Sequence, residues 1–120
     1  MANTVQTNIQ FSISKDSFRL SDSLSLSETT SGTDAIAQPY TVTTSWVAIP
    51  LGALASFKKL MIRNTDAANF IQVAIDGSGT NKILKIVAGD ANLFTPDPTQ
   101  TLYWKADTAS VLCTITATEP

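Results

Sequence analysis

The 120-residue chain contains no histidine. That removes the commonest general base, the usual activator of serine and cysteine nucleophiles, and the commonest metal ligand. Eight Asp, two Glu, one Cys and eight Lys and Arg remain for chemistry. Paired carboxylates could still serve a glycosidase, and a Ser–Lys pair a hydrolase. Yet Asp76, Asp90, Asp97 and Asp107 stand beside Gly, Pro or Thr, in positions that read as turns. Cys113 is in phase with Val111 and Ile115, which points it inward as an unreactive core thiol. A lone cysteine also rules out an intrachain disulfide. The segment DGSGTN (76–81) lacks the alternating acids and terminal Glu of a calcium loop. Gly77 and Gly79 precede no helix whose N-terminus could hold a phosphate. The expectation is a chain with no catalytic residues, cofactor or metal.

Composition excludes other classes. Net charge is −2, and Lys58-Lys59 is the only adjacent basic pair, too little for the clustered phosphate contacts of a nucleic-acid binder. No run of 18 apolar residues marks a membrane span. The start, Met-Ala-Asn-Thr-Val, lacks the basic and apolar blocks of a signal peptide, so synthesis in the cytoplasm is expected. Twelve Ser and 17 Thr take the place of charge. With Val and Ile they favour strands over helices.

The elements that must position any functional residue are therefore strands. Ile9, Phe11 and Ile13 alternate with Gln10, Ser12 and Ser14, and Phe18, Leu20, Leu24 and Leu26 alternate with Arg19 and serines. Period two of this kind marks half-buried strands, with turn chemistry between them at Lys15-Asp16-Ser17. Residues 1–35 are read as an N-terminal β-ribbon or extended arm, closed by the loop ETTSGTD (28–34). Residues 36–120 are read as a second domain of short strands punctuated at Pro50-Leu51-Gly52, Asn64-Thr65-Asp66, Asp76-Gly77, Ala88-Gly89-Asp90 and Ala106–Ala109. One helical turn is expected at 53–57. The fold class is all-β, an antiparallel β-sandwich or jelly-roll-like domain of six to eight strands in two layers.

Two places break the simple pattern. Asp22 falls on the apolar side of Leu20 and Leu24. Either a bulge or strand end turns it to water, or it sits in a subunit contact against a partner's Arg or Lys. Tyr103 and Trp104 are adjacent in one strand and so face opposite sides of a sheet. One of them should be exposed in the monomer, to be covered in an assembly or to line a carbohydrate-binding surface with Trp46. Phe57, Phe70 and Phe94 are expected in the core.

The segments LMIRNTD (60–66), NFIQVAID (69–76), ILKIVAGD (83–90) and LYWKADTASVLCTITATE (102–119), with the ending Tyr103-x-Lys105-Ala106-Asp107-Thr108-Ala109, resemble a small β-sandwich module of tailed bacteriophages. That module occurs in minor structural proteins, including capsid decoration (cement) proteins and tail- or fibre-associated subunits. The likeness covers about half the chain, and its motifs carry no functional residues across. It implies a virion protein on the capsid surface, a homo-oligomer and specifically a trimer, bound to the major capsid protein through β-domains and extended arms. In that light Phe11, Phe18, Leu20, Asp22, Leu24, Tyr103 and Trp104 are the candidate subunit or capsid contacts. Neither nucleic acid nor a membrane is an expected partner. The alternatives are a tail, neck or fibre-associated virion subunit, and a carbohydrate-binding β-sandwich.

Overall fold

The computed structural model describes residues 3–120; Met1 and Ala2, the first two residues of the expected ribbon, lie outside the described residues. The chain divides into two compact units, one ending at Thr33 and the other running from Asp34 to Pro120.

The first unit is a two-stranded antiparallel ribbon of β1 (Asn3–Lys15) and β2 (Phe18–Thr30). Its two-residue connection is Asp16-Ser17, with Asp16 at φ 48°. Asp tolerates that left-handed backbone, and positive φ matches the strand twist in a tight hairpin. Pairing is continuous from Asn3↔Thr30 to Lys15↔Phe18. Asp22 pairs directly with Phe11 in this ladder, so the bulge or strand end expected there is corrected. The alternation never breaks, and the carboxylate stays on the apolar face.

The second unit holds β3 (Ala35–Val42), β4 (Val47–Ala48), β5 (Lys59–Asn64), β6 (Ile71–Ala74), β7 (Lys82–Ile86), β8 (Ala91–Phe94), β9 (Tyr103–Ala106) and β10 (Val111–Thr118). They form two antiparallel four-stranded sheets, ordered β3-β10-β5-β8 and β4-β9-β6-β7, an all-β arrangement compatible with a β-sandwich. The eight strands of this unit fall within the expected six to eight, with β4 and β8 too short to show a period in the sequence. A register shift lies between Val73 and Ala74 where β6 pairs with β7.

Alternation builds one core. In β10, Val111, Cys113, Ile115 and Ala117 are buried, while Leu112, Thr114, Thr116 and Thr118 face outward. Leu60 and Ile62 join them from the same sheet, and Ile71, Val73, Ile86 and Trp104 from the other. Tyr40 meets Trp104 edge to face, with ring centroids 6.4 Å apart. Phe57 is buried as expected, whereas Phe70 and Phe94 are only half-buried.

No helical turn forms at 53–57. The chain turns once, with the Leu54 amide donating to the Leu51 carbonyl at 3.1 Å and Gly52 at φ 61°. Leu54 and Phe57 then drop into the core. Their i, i+3 spacing imitates a helix, but tertiary burial decides their direction.

Candidate assembly interface

Pairing in register places Ile9 opposite Leu24, Phe11 opposite Asp22, Ile13 opposite Leu20, and Lys15 opposite Phe18. Directly paired residues share a face of the ribbon. The candidates Phe11, Phe18, Leu20, Asp22 and Leu24 are thus brought onto one face, joined by Ile9, Ile13 and Leu26. Much of that face is exposed, with Phe11 at 65%, Phe18 at 55%, Leu20 at 56% and Leu24 at 54% of their full accessibility, while Ile13 is half-buried and Thr7, opposite Leu26, is buried.

The opposite face is a ladder of hydroxyls and amides. Gln6 Nε2 donates to Ser25 Oγ at 3.1 Å, Ser25 Oγ donates to Asn8 Oδ1 at 2.9 Å, and the Ser12 and Ser21 hydroxyls lie 3.3 Å apart. These bonds link the strands across a surface made for water. The chemistry of the ribbon is accordingly one-sided, with a wet face and an apolar one. An isolated two-stranded hairpin is marginal in water and gains stability from a layer packed on its apolar side.

The other two candidates, Tyr103 and Trp104, sit on β9 in the second unit. Trp104 is 1% exposed and central to the core, which corrects its place among contact residues and in any carbohydrate platform. Tyr103 is half-buried, and a Cβ on Gly77 would lie 3.4 Å from its ring. Trp46 is half-buried against the backbone of Gly79, with Lys82 Nζ 5.8 Å from its ring centroid. Of these three rings, only Trp104 is buried; Tyr103 and Trp46 each remain partly exposed.

The carboxylates hold turns. Asp76 accepts from the Ser78 hydroxyl at 2.5 Å, the Asn81 amide at 2.9 Å and the Thr80 amide at 3.0 Å. The Ser78 hydroxyl contributes most to holding its pKa below the usual range. Asp66 is lowered chiefly by the Asn69 amide, and Asp97 by the Thr99 hydroxyl. Such carboxylates are acceptors with their lone pairs committed. No group of three or more His, Cys, Asp or Glu is placed to hold a metal among the described residues. An open depression of about 170 Å³ between residues 49–57 and 96–102 is below the usual size of a small-molecule site.

Burial, with a smaller contribution from the charge of Asp66, pushes the Cys113 thiol up to about 12. At pH 8 only about one thiol in ten thousand would ionise, against roughly a quarter of free cysteines. A disulfide thiol reagent should therefore react with the native chain at least about a hundredfold more slowly than with the guanidinium-unfolded chain. Equal rates would show that Cys113 is not in the core.

No known protein family, curated protein or solved structure matches the chain. The functional reading rests on the surfaces themselves.

One surface escaped the sequence reading. On the outer side of the β3-β10-β5-β8 sheet, pairing lines up Ala37, Thr116, Met61 and Leu93 in one row and Pro39, Thr114, Arg63 and Ala91 in the next. Leu112, 51% exposed, extends it. The outward parity of Leu112, Thr114, Thr116 and Thr118 was visible in sequence, but their neighbours come from strands roughly 50 to 80 residues away. Short-range pattern carries no signal for such pairings.

Proposed function

We propose that this protein is a non-enzymatic structural subunit of a virion, a capsid decoration protein that stabilises a phage head by binding between major capsid protein subunits. The carrying observation is the ribbon, which exposes large apolar side chains on one face while its other face is polar and linked across the strands by side-chain hydrogen bonds. Monomeric proteins seldom expose contiguous apolar surface of this extent without a partner for it. The work is burial of area plus backbone pairing, repeated over a shell so that individually modest contacts add up. A homotrimer is the assembly the phage resemblance favours.

Strand order supports a jelly-roll reading of the second unit. The chain crosses between sheets at every connection except β6–β7, interleaving eight strands as two Greek keys do in the double-sheet jelly rolls of viral capsid domains. Lectin domains share that architecture, but burial of Trp104 removes the strongest aromatic from a glycan platform. A tail, neck or fibre-base position is the second reading, and it uses the same ribbon.

Immunogold labelling of particles from the source lysate tests the proposal. Dense label over heads is the expected outcome. Label confined to one pole or the tail transfers the role to a tail subunit, and unlabelled particles discard the virion assignment.

A further inference from the structure

The ribbon face is charged at its centre by Asp22, which pairs with Phe11 and is flanked by the Ile9–Leu24 and Ile13–Leu20 pairs. Burying that carboxylate requires a cation in the covering surface, or the group must give up its charge. The outer face of the β3-β10-β5-β8 sheet offers this. Its strands carry Leu112, Met61, Leu93 and small residues, no carboxylate, the exposed guanidinium of Arg63 near the middle, and at one end Lys59, whose Nζ donates to the Thr95 hydroxyl at 2.8 Å. We infer that the apolar face of the ribbon docks on this sheet face of a second copy of the chain, with Asp22 of one copy meeting Arg63 of the other.

Dimensions agree. From Phe18 to Leu26 the apolar side of β2 spans nine residues, and β10 spans 8, so arm and platform are both about 26–30 Å long. The exposed apolar side chains of the ribbon present on the order of 500 Å². Covering them with a matching area brings the contact to about 1,000 Å² in total, the lower bound for a specific interface. Arg is suited to the task, since its planar fork matches a carboxylate and it is less strongly hydrated than Lys.

Other self-contacts satisfy Asp22 less well. Parallel ribbons packed face to face about a twofold or threefold axis bring their Asp22 carboxylates to one level, a like-charge cluster in apolar surroundings. The outer face of the other sheet carries Lys85, Gln72 and Lys105 in one row, with Lys85 Nζ 4.1 Å above the Phe70 ring. That face also exposes Ile83, but its cations are lysines, more strongly hydrated than a guanidinium and lacking the fork that matches a carboxylate. An arm on one copy and a platform on the next make a heterologous contact, which closes into a ring when the rotation permits. The inference rests on the ribbon being an assembly arm, as proposed above.

Sedimentation equilibrium of the full chain tests the pairing, with circular dichroism to check that each variant is folded. Asp22→Arg and Arg63→Asp should each weaken self-association at least about tenfold, while the double reversal returns it to within about threefold of wild type. A wild type that stays monomeric, single variants that associate like wild type, or a double variant no better than the worse single would each overturn it. Should a reversal unfold the chain, mixing Asp22→Cys chains with Arg63→Cys chains takes its place. An interchain disulfide confined to the mixture supports the contact and its absence refutes it, with buried Cys113 out of reach. A protein that labels particles but ignores the reversals loses this contact and keeps its assembly role. One that obeys the reversals but labels no particle keeps the contact and loses the virion assignment.

Discussion

Replacing Gly79 by alanine is expected to destabilise the second unit by about 2–4 kcal/mol, combining a left-handed backbone penalty with a forced displacement in a packed site. Gly79 has φ +72°, and a Cβ built there would lie 2.1 Å from Trp46 Cε2 and 2.2 Å from Nε1. No rotation of alanine relieves that collision, so either the loop or the indole must move. Lys82 Nζ, which donates to the Gly79 carbonyl at 2.7 Å and lies 5.8 Å from the Trp46 centroid, moves with them. The fall in Tm should be roughly 10–20 °C for a unit of this size. Gly89 supplies the control, having φ +79° but nothing within 4 Å of its would-be Cβ. Gly89→Ala should lose only the backbone term, about 1–2 kcal/mol. Trp46→Ala combined with Gly79→Ala should be less destabilised than the sum of the two single variants, because both act on one contact. Equal Tm values for the Gly79 and Gly89 variants would show that Trp46 does not cover Gly79 in solution.

The second large effect separates assembly from folding. Phe11→Ser together with Leu24→Ser removes two exposed side chains from the ribbon's apolar face without touching its hydroxyl ladder. Exposed positions contribute little to monomer stability, generally within about 0.5 kcal/mol each, so thermal unfolding of the second unit should be unchanged. In an assembly where both side chains are buried, each would contribute about 1.5–3 kcal/mol. Their loss should weaken association by roughly a hundredfold to ten-thousandfold. A variant that loses stability and assembly in parallel would mean that the face supports the monomer instead.

Much of the ribbon was legible in the sequence because its information is local. Alternation over β1 and β2 fixed which side chains share a face, and Lys15-Asp16-Ser17 marked the reversal, now seen with Asp16 at φ 48°. Cys113 was placed inward by its phase with Val111 and Ile115, and all three are buried. Asp22 was ambiguous because one charged residue in an apolar row fits a bulge as well as an intact strand, and only the partner strand decides. Trp104 was ambiguous for a related reason. Adjacent strand residues must face opposite ways, but parity alone does not say which side is the core. The Arg63 platform was illegible, since β3, β10, β5 and β8 come together only through long-range pairing. The turn at 53–57 misled because Leu54 and Phe57 repeat at a helical interval while Gly52 and the core set the path.

The central claim is that the ribbon's apolar face is covered in the working state of the protein. Velocity sedimentation of lysate fractions, comparing the wild-type chain with the Phe11→Ser, Leu24→Ser variant at equal expression, addresses it most directly. The account predicts that wild type travels with a particle or a larger assembly while the variant remains folded at its 12.8 kDa monomer mass. Identical sedimentation of the two, whether both assembled or both monomeric, would contradict it.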